Sequence, residues 1–399
     1  MDPQPRHHAA APAACDASAP PVPLANRYDV MEWAGAFGDL GTLIPFIAAY
    51  IGVLKLDPFG VLFAFGVSMV VCGLVYKTPL PVQPMKAIGA VASIQAVQTA
   101  VVTPAAVYSA ALATGAIWLI LGASGLMGRI ARLVPAAVVI GIILGLGFGF
   151  MLQGVRMMQT DWVVAIIGAV GTLALMGNRK VPAIFAILAF GALVGAVQSP
   201  ELLSRLCNAP VGLRAPPFAL AEITWNQVFV GVVLLALPQV PMTLGNAIIA
   251  ITDENNRLFP QRPVTEGCVA VSTGLMNLFS GAVGGVPMCH GAGGMAAHLA
   301  FGARTGGSVV ILGSVLLVLA LFFSNSVDAL FRLFPTAVLG VVLFLTGLQL
   351  AVGSSALPPG RGDRMVVAVC AALCMWNVAA GVVVGIALHH LHKRGLLTL

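Results

Sequence analysis

Residues Pro79 to Ala90 read PLPVQPMKAIGA, and residues Gly284 to Ala297 read GGVPMCHGAGGMAA. Each interrupts an apolar run with proline or glycine, then sets Pro-Met (Pro84-Met85, Pro287-Met288) before a stretch of small residues. The two Pro-Met pairs lie 203 positions apart. Proline removes a backbone donor and clashes with the turn before it, so neither run can form one regular helix. Paired interruptions at matching positions of two halves point to a substrate site in the middle of a membrane.

The surrounding composition identifies the solvent. Of 399 residues, 59% are hydrophobic and only 9% are charged, and the mean hydropathy is +0.98. Soluble domains carry about 25% charged residues. A soluble core cannot hide this much apolar surface, so the chain reads as an all-α integral membrane protein surrounded by lipid. The net charge of +6 is then a topology signal. Aromatic and basic residues never interleave in a stacking pattern, which excludes nucleic acid as a partner. Seven cysteines form no CxxC motif, and most read as small packing residues in apolar runs. Nothing calls for a cofactor or a metal. Residues 1–27, rich in Ala and Pro, lack a signal-peptide core and read as a disordered tail.

About fourteen apolar segments can be marked. The first seven are 33–50, 58–76, 79–98, 104–127, 133–153, 161–177 and 181–198; the second seven are 226–252, 264–283, 285–302, 306–324, 334–352, 363–377 and 379–392. The last two are short and read as a helical hairpin. With the N-terminus in the cytoplasm, the alternation puts 14 basic residues inside and 5 outside, with Lys86 left in a span. That bias favours both termini inside a cell membrane.

The halves resemble each other. Arg132 to Val138 (RLVPAAV) matches Arg332 to Val338 (RLFPTAV) at 200 positions, and Leu40-Gly41 matches Leu244-Gly245 at 204. Three matches in one order, counting the Pro-Met pairs, argue for duplication. Seven crossings per half force opposite orientations. A 7+7 inverted repeat follows, with halves at 28–198 and 226–392, a connector at 199–225 and a tail at 393–399.

Inversion aims the two broken segments at each other. Helices are expected to start near Met85, running to about Gln98, and near Met288. Two facing helix N-termini supply about +1 of charge, and Lys86 adds a formal charge. The sum of about +2 suits a dianion. Lys86 contacts substrate, or it snorkels or pairs with Asp39. Gln83 can donate an amide N–H. His290 can donate to an oxyanion or change protonation, or it is structural. Cys289 reads more readily as packing than as a ligand. Asp39 is a candidate proton carrier, or it caps a broken helix. Gln239, Thr243 and Asn246, around Pro238 and Pro241, either bind substrate oxygens or satisfy backbone freed by the prolines. Thr42 has the same two readings. Asp253 and Glu254 read as interfacial partners of Arg257 or Arg262.

At these residues the chain resembles the molybdate transporter family, which is related to the sulfate permease (SulP) superfamily. The matching stretches are FGDLGTLIPF (37–46), PVQPMKAI (81–88), TLGNAIIAITDENNRLFP (243–260) and GGVPMCHGAGGMAAHLAFGARTGG (284–307). The resemblance implies core and gate domains and high-affinity, proton-coupled uptake of molybdate. It places the family's motifs on Asp39, Gln83, Lys86, Cys289 and His290. With the breaks themselves, the expected substrate contacts are Thr42, Gln83, Met85, Lys86, Gln239, Thr243, Asn246, Pro287, Met288, Cys289 and His290, with Asp39 for coupling. Tungstate or sulfate are the alternative ligands, and a homodimer is a further expectation. An anion channel would look similar. An enzyme is disfavoured, because Cys289 and His290 project about 100° apart on one helix.

Overall fold

The chain starts its helices with the residue types that satisfy free backbone donors. Asp57 and Thr103 cap helices whose first residue is proline, Pro58–Tyr76 and Pro104–Ala123. Asp161, Thr265 and Asn377 cap Trp162–Leu175, Glu266–Ala282 and Val378–Lys393. The computed structural model describes residues 25–397 except 53, 87, 89–101, 177, 179–180, 209–210, 216–217 and 353–356. Most of the expected tail 1–27, the helix expected from Met85 to Gln98, and Pro210, Pro216 and Pro217 of the connector lie outside the described residues.

Among the described residues, five helices are long and apolar enough to cross a membrane: Pro58–Tyr76, Pro104–Ala123, Ala136–Met158, Trp225–Leu258 and Gly307–Leu333. Two bent pairs, Val30–Ile44 with Phe46–Gly52 and Ala183–Gln198 with Pro200–Cys207, raise the number to seven. The first expected span, 33–50, is interrupted for one residue at Asp39, between Val30–Gly38 and Leu40–Gly52, and bends further on, between Ile44 and Phe46. The eighth, 226–252, is longer than its apolar stretch, because the helical run Trp225–Leu258 carries Asp253 and Glu254 with it. Glu254 holds Arg257 at 2.7 Å one turn on. Within this run, Gly231–Ala236 and Thr243–Ala250 wind as π-helix on either side of Pro238 and Pro241. Proline breaks the regular ladder, and π-turns take up the mismatch.

Three close helix pairs join the two sequence halves. Pro58–Tyr76 packs on Gly307–Phe323, Pro104–Ala123 on Glu266–Ala282, and Ala136–Met158 on Thr336–Val352. Small residues let these backbones approach. A Cβ on Gly147 would lie 2.9 Å from the Gly347 carbonyl, and one on Gly347 would lie 2.5 Å from the Gly147 carbonyl. These two glycines are 200 positions apart, the offset of the RLVPAAV match.

The two Pro-Met segments meet as the only strands among the described residues. β1 (Gln83–Pro84) and β2 (Met288–Cys289) pair antiparallel, with Gln83 opposite Cys289 and Pro84 opposite Met288. Met85 N–H donates to the Pro287 carbonyl at 2.9 Å. Backbone that is not helical must find partners within the protein at this depth, and the two breaks supply them to each other. The helix after β2 therefore begins at Ala292 rather than near Met288.

Candidate functional site

Asp39 occupies the joint between Val30–Gly38 and Leu40–Gly52 and is fully buried. The Thr42 hydroxyl bonds back to it, donating to the Asp39 carbonyl at 3.0 Å and contacting carboxylate Oδ1. Gln83 reaches in from β1, its Nε2 lying 2.6 Å from both Asp39 Oδ1 and Thr42 Oγ1. This orients the Gln83 amide and turns its Oε1 away from the acid. Gln83 Oε1 is buried with no hydrogen-bond partner among the described residues, as are Asp39 Oδ2, Lys86 Nζ and Asn246 Oδ1. Native proteins rarely leave such groups unpaired, and of these four atoms only Lys86 Nζ is a donor that could meet an anion.

The turn after β2 is shaped around these atoms. A Cβ on Gly291 would lie 2.4 Å from Gln83 Oε1 and 3.6 Å from Asn246 Nδ2. A Cβ on Gly294 would lie 2.7 Å from Gln83 Cδ. Glycine at both positions leaves room for the amides of Gln83 and Asn246. The same turn opens the Ala292–Ala300 helix, whose first amides favour negative charge.

Lys86, half-buried as a residue, places its buried Nζ over the Phe150 ring, 4.1 Å from the centroid. Asp39 and Cys289 both lie within electrostatic range of it. The structure shows no Asp39–Lys86 ion pair among the described residues. Gln239 accepts from the Ile88 backbone N–H at 3.3 Å and donates to the Thr243 hydroxyl, one turn on, at 3.0 Å. Met85, Pro287 and Met288 serve the crossing through their backbones.

His290 bonds within the protein through both ring nitrogens. Its Nδ1 lies 2.7 Å from the Pro81 carbonyl and its Nε2 2.8 Å from Ser272 Oγ. The carbonyl cannot donate, so Nδ1 carries the proton and Nε2 accepts from Ser272. Asn277 clamps the second strand, accepting from Met288 N–H at 2.8 Å and donating to its carbonyl at 2.6 Å.

Sequence reasoning did not single out Phe150, His298, Asn277 or the glycines of the turn. His298 Nδ1 donates to the Gly35 carbonyl, 2.8 Å away, and the ring lies within electrostatic range of Asp39. The paired glycines in CHGAGG and the amide of Asn277 in a largely apolar span were the available signals; Phe150 gave none. Among the described residues no group of three or more His, Cys, Asp or Glu could hold a metal ion.

A family profile described as "Molybdate transporter of MFS superfamily" matches residues 31–150 and 231–350. Molybdate transporter 2 of Arabidopsis thaliana is 30% identical over 91% of this chain and 87% of that protein. Molybdate transporter 1 of Chlamydomonas reinhardtii is 26% identical over 89% of this chain and 90% of that protein. Among solved structures, the transmembrane domain of the cyanobacterial bicarbonate transporter BicA aligns with a TM-score of 0.50 at 16% identity, covering 91% of this chain and 98% of that one. The murine anion transporter Slc26a9 in its inward-facing state aligns at 0.58 and 13% identity, covering 93% and 69%. These likenesses show a shared fold with the SLC26/SulP transporters. The relatives are transporters, not enzymes. With the family matched in both halves of a multi-pass membrane protein, the chain belongs to the molybdate transporter family.

Proposed function

We propose that this protein imports molybdate across a cell membrane by alternating access, coupled to protons through Asp39. The observation that carries the reading is the buried Lys86 Nζ, which has no hydrogen-bond partner among the described residues beside the β1–β2 crossing. A buried cation is costly unless it is paired, and a tetrahedral dianion would pair it. The Asn246 amide and the amides opening Ala292–Ala300 lie at the same turn, whereas Gln83 commits its N–H donors to Asp39 and Thr42 and faces the turn with its carbonyl oxygen. Thr42 orients Gln83; Gln239, which donates to Thr243, accepts from the Ile88 backbone N–H just after β1.

The repeated family match, offset by 200 positions, supports a duplicated architecture. So do the helix pairs that join the halves. In an inverted repeat, one helix group would rock against the other around a fixed site. Asp39 suits the coupling role because it shares Gln83 with the site while standing one side chain back from the substrate turn. The test is uptake into proteoliposomes. Accumulation of molybdate against its gradient, driven by an inward proton gradient, supports the reading. Flux that only equilibrates would indicate a channel, and abolition of uptake by equal sulfate would overturn the choice of molybdate.

A further inference from the structure

Phe150 lies midway along Ala136–Met158 and is 9% exposed. Its place is made by glycine on two sides. A Cβ on Gly293 would lie 2.2 Å from Phe150 Cε2, and one on Gly347 would lie 2.9 Å from Phe150 Cβ. Gly293 belongs to the turn that also receives Gln83 and Asn246. The seated ring presents its face to the Lys86 ammonium at 4.1 Å. Nζ has no hydrogen-bond partner among the described residues.

An aromatic face carries negative potential, and its attraction for a cation is strongest when water is excluded. A leucine of similar bulk would fill the same space without holding charge. We propose that Phe150 is a positioning residue for oxyanion capture. Its ring holds the Lys86 ammonium beside the glycine turn and leaves the other N–H donors free for the substrate. The ring also ties the substrate's charge partner to the Ala136–Met158 helix, which packs on Thr336–Val352 and Arg361–Trp376. This inference rests on the reading of Lys86 as the substrate's charge partner.

The test replaces Phe150 with phenylalanines carrying one, two and three ring fluorines in the full-length protein. Fluorination drains the ring face while leaving shape and apolarity nearly unchanged, so a packing role would not respond. Molybdate binding is read by calorimetry on purified protein, with thermal stability as the folding control. The expected result is a stepwise rise in Kd, reaching about tenfold with three fluorines. A flat series in the wild-type background, with binding lost in Lys86→Ala, overturns the positioning role alone. Wild-type affinity in Lys86→Ala overturns the underlying reading of the site instead.

Discussion

Gln83 Nε2 lies 2.6 Å from Asp39 Oδ1. This contact joins the acid at the joint of the first two helices to the strand at the β1–β2 crossing. It also fixes the amide, because the same Nε2 serves Thr42 and the Oε1 must then point toward Gly291. In the proposed mechanism, Gln83 therefore couples the state of Asp39 to the shape of the turn through its position, not by donating to the substrate.

Glycine at the turn is a requirement of this geometry. Gly291→Ala would drive a methyl group into Gln83 Oε1 from 2.4 Å. Molybdate affinity should fall by roughly tenfold or more, consistent with about 1–3 kcal/mol of overpacking. Gly212→Ala, where nothing lies within 4 Å, should bind as wild type. A calorimetric titration of both variants checks the contrast.

Asn277 should matter without touching substrate. Asn277→Ala leaves the Met288 N–H and carbonyl without their side-chain partners. The expected loss of stability is about 1–3 kcal/mol, seen as a lower Tm in detergent. Binding should weaken with it, because β2 carries the turn.

Asp39→Asn keeps an oxygen for the Gln83 amide but removes the exchangeable charge. Uptake should lose its dependence on the proton gradient, while exchange of labelled for unlabelled molybdate continues. Counterflow and gradient-driven assays on the same vesicles separate the two. Unchanged proton dependence would remove Asp39 from the coupling role.

Much of this was legible in the chain before folding. The two Pro-Met segments are the places where the backbone leaves the helix and pairs, because proline forbids the regular ladder locally. Lys86 stood out because a cation in an apolar span is conspicuous against its neighbours. Other features depend on packing between distant segments. Phe150 reads as one more apolar residue until the fold brings it over Lys86. His290 reads as a ligand from its place beside the break, yet both ring nitrogens bond within the protein, at Pro81 and Ser272. Local sequence could not reveal those partners, since Pro81 is 209 positions away. The helix start moved from Met288 to Ala292 for a similar reason, since strand pairing with the other half takes up the residues between.

The central claim is that Lys86 supplies the charge that holds the oxyanion, and direct titration of molybdate into purified Lys86→Ala tests it most closely. Binding should be lost, with Lys86→Arg recovering little because a planar guanidinium cannot take the place of a compact ammonium over the Phe150 ring. Wild-type affinity in Lys86→Ala would contradict the account.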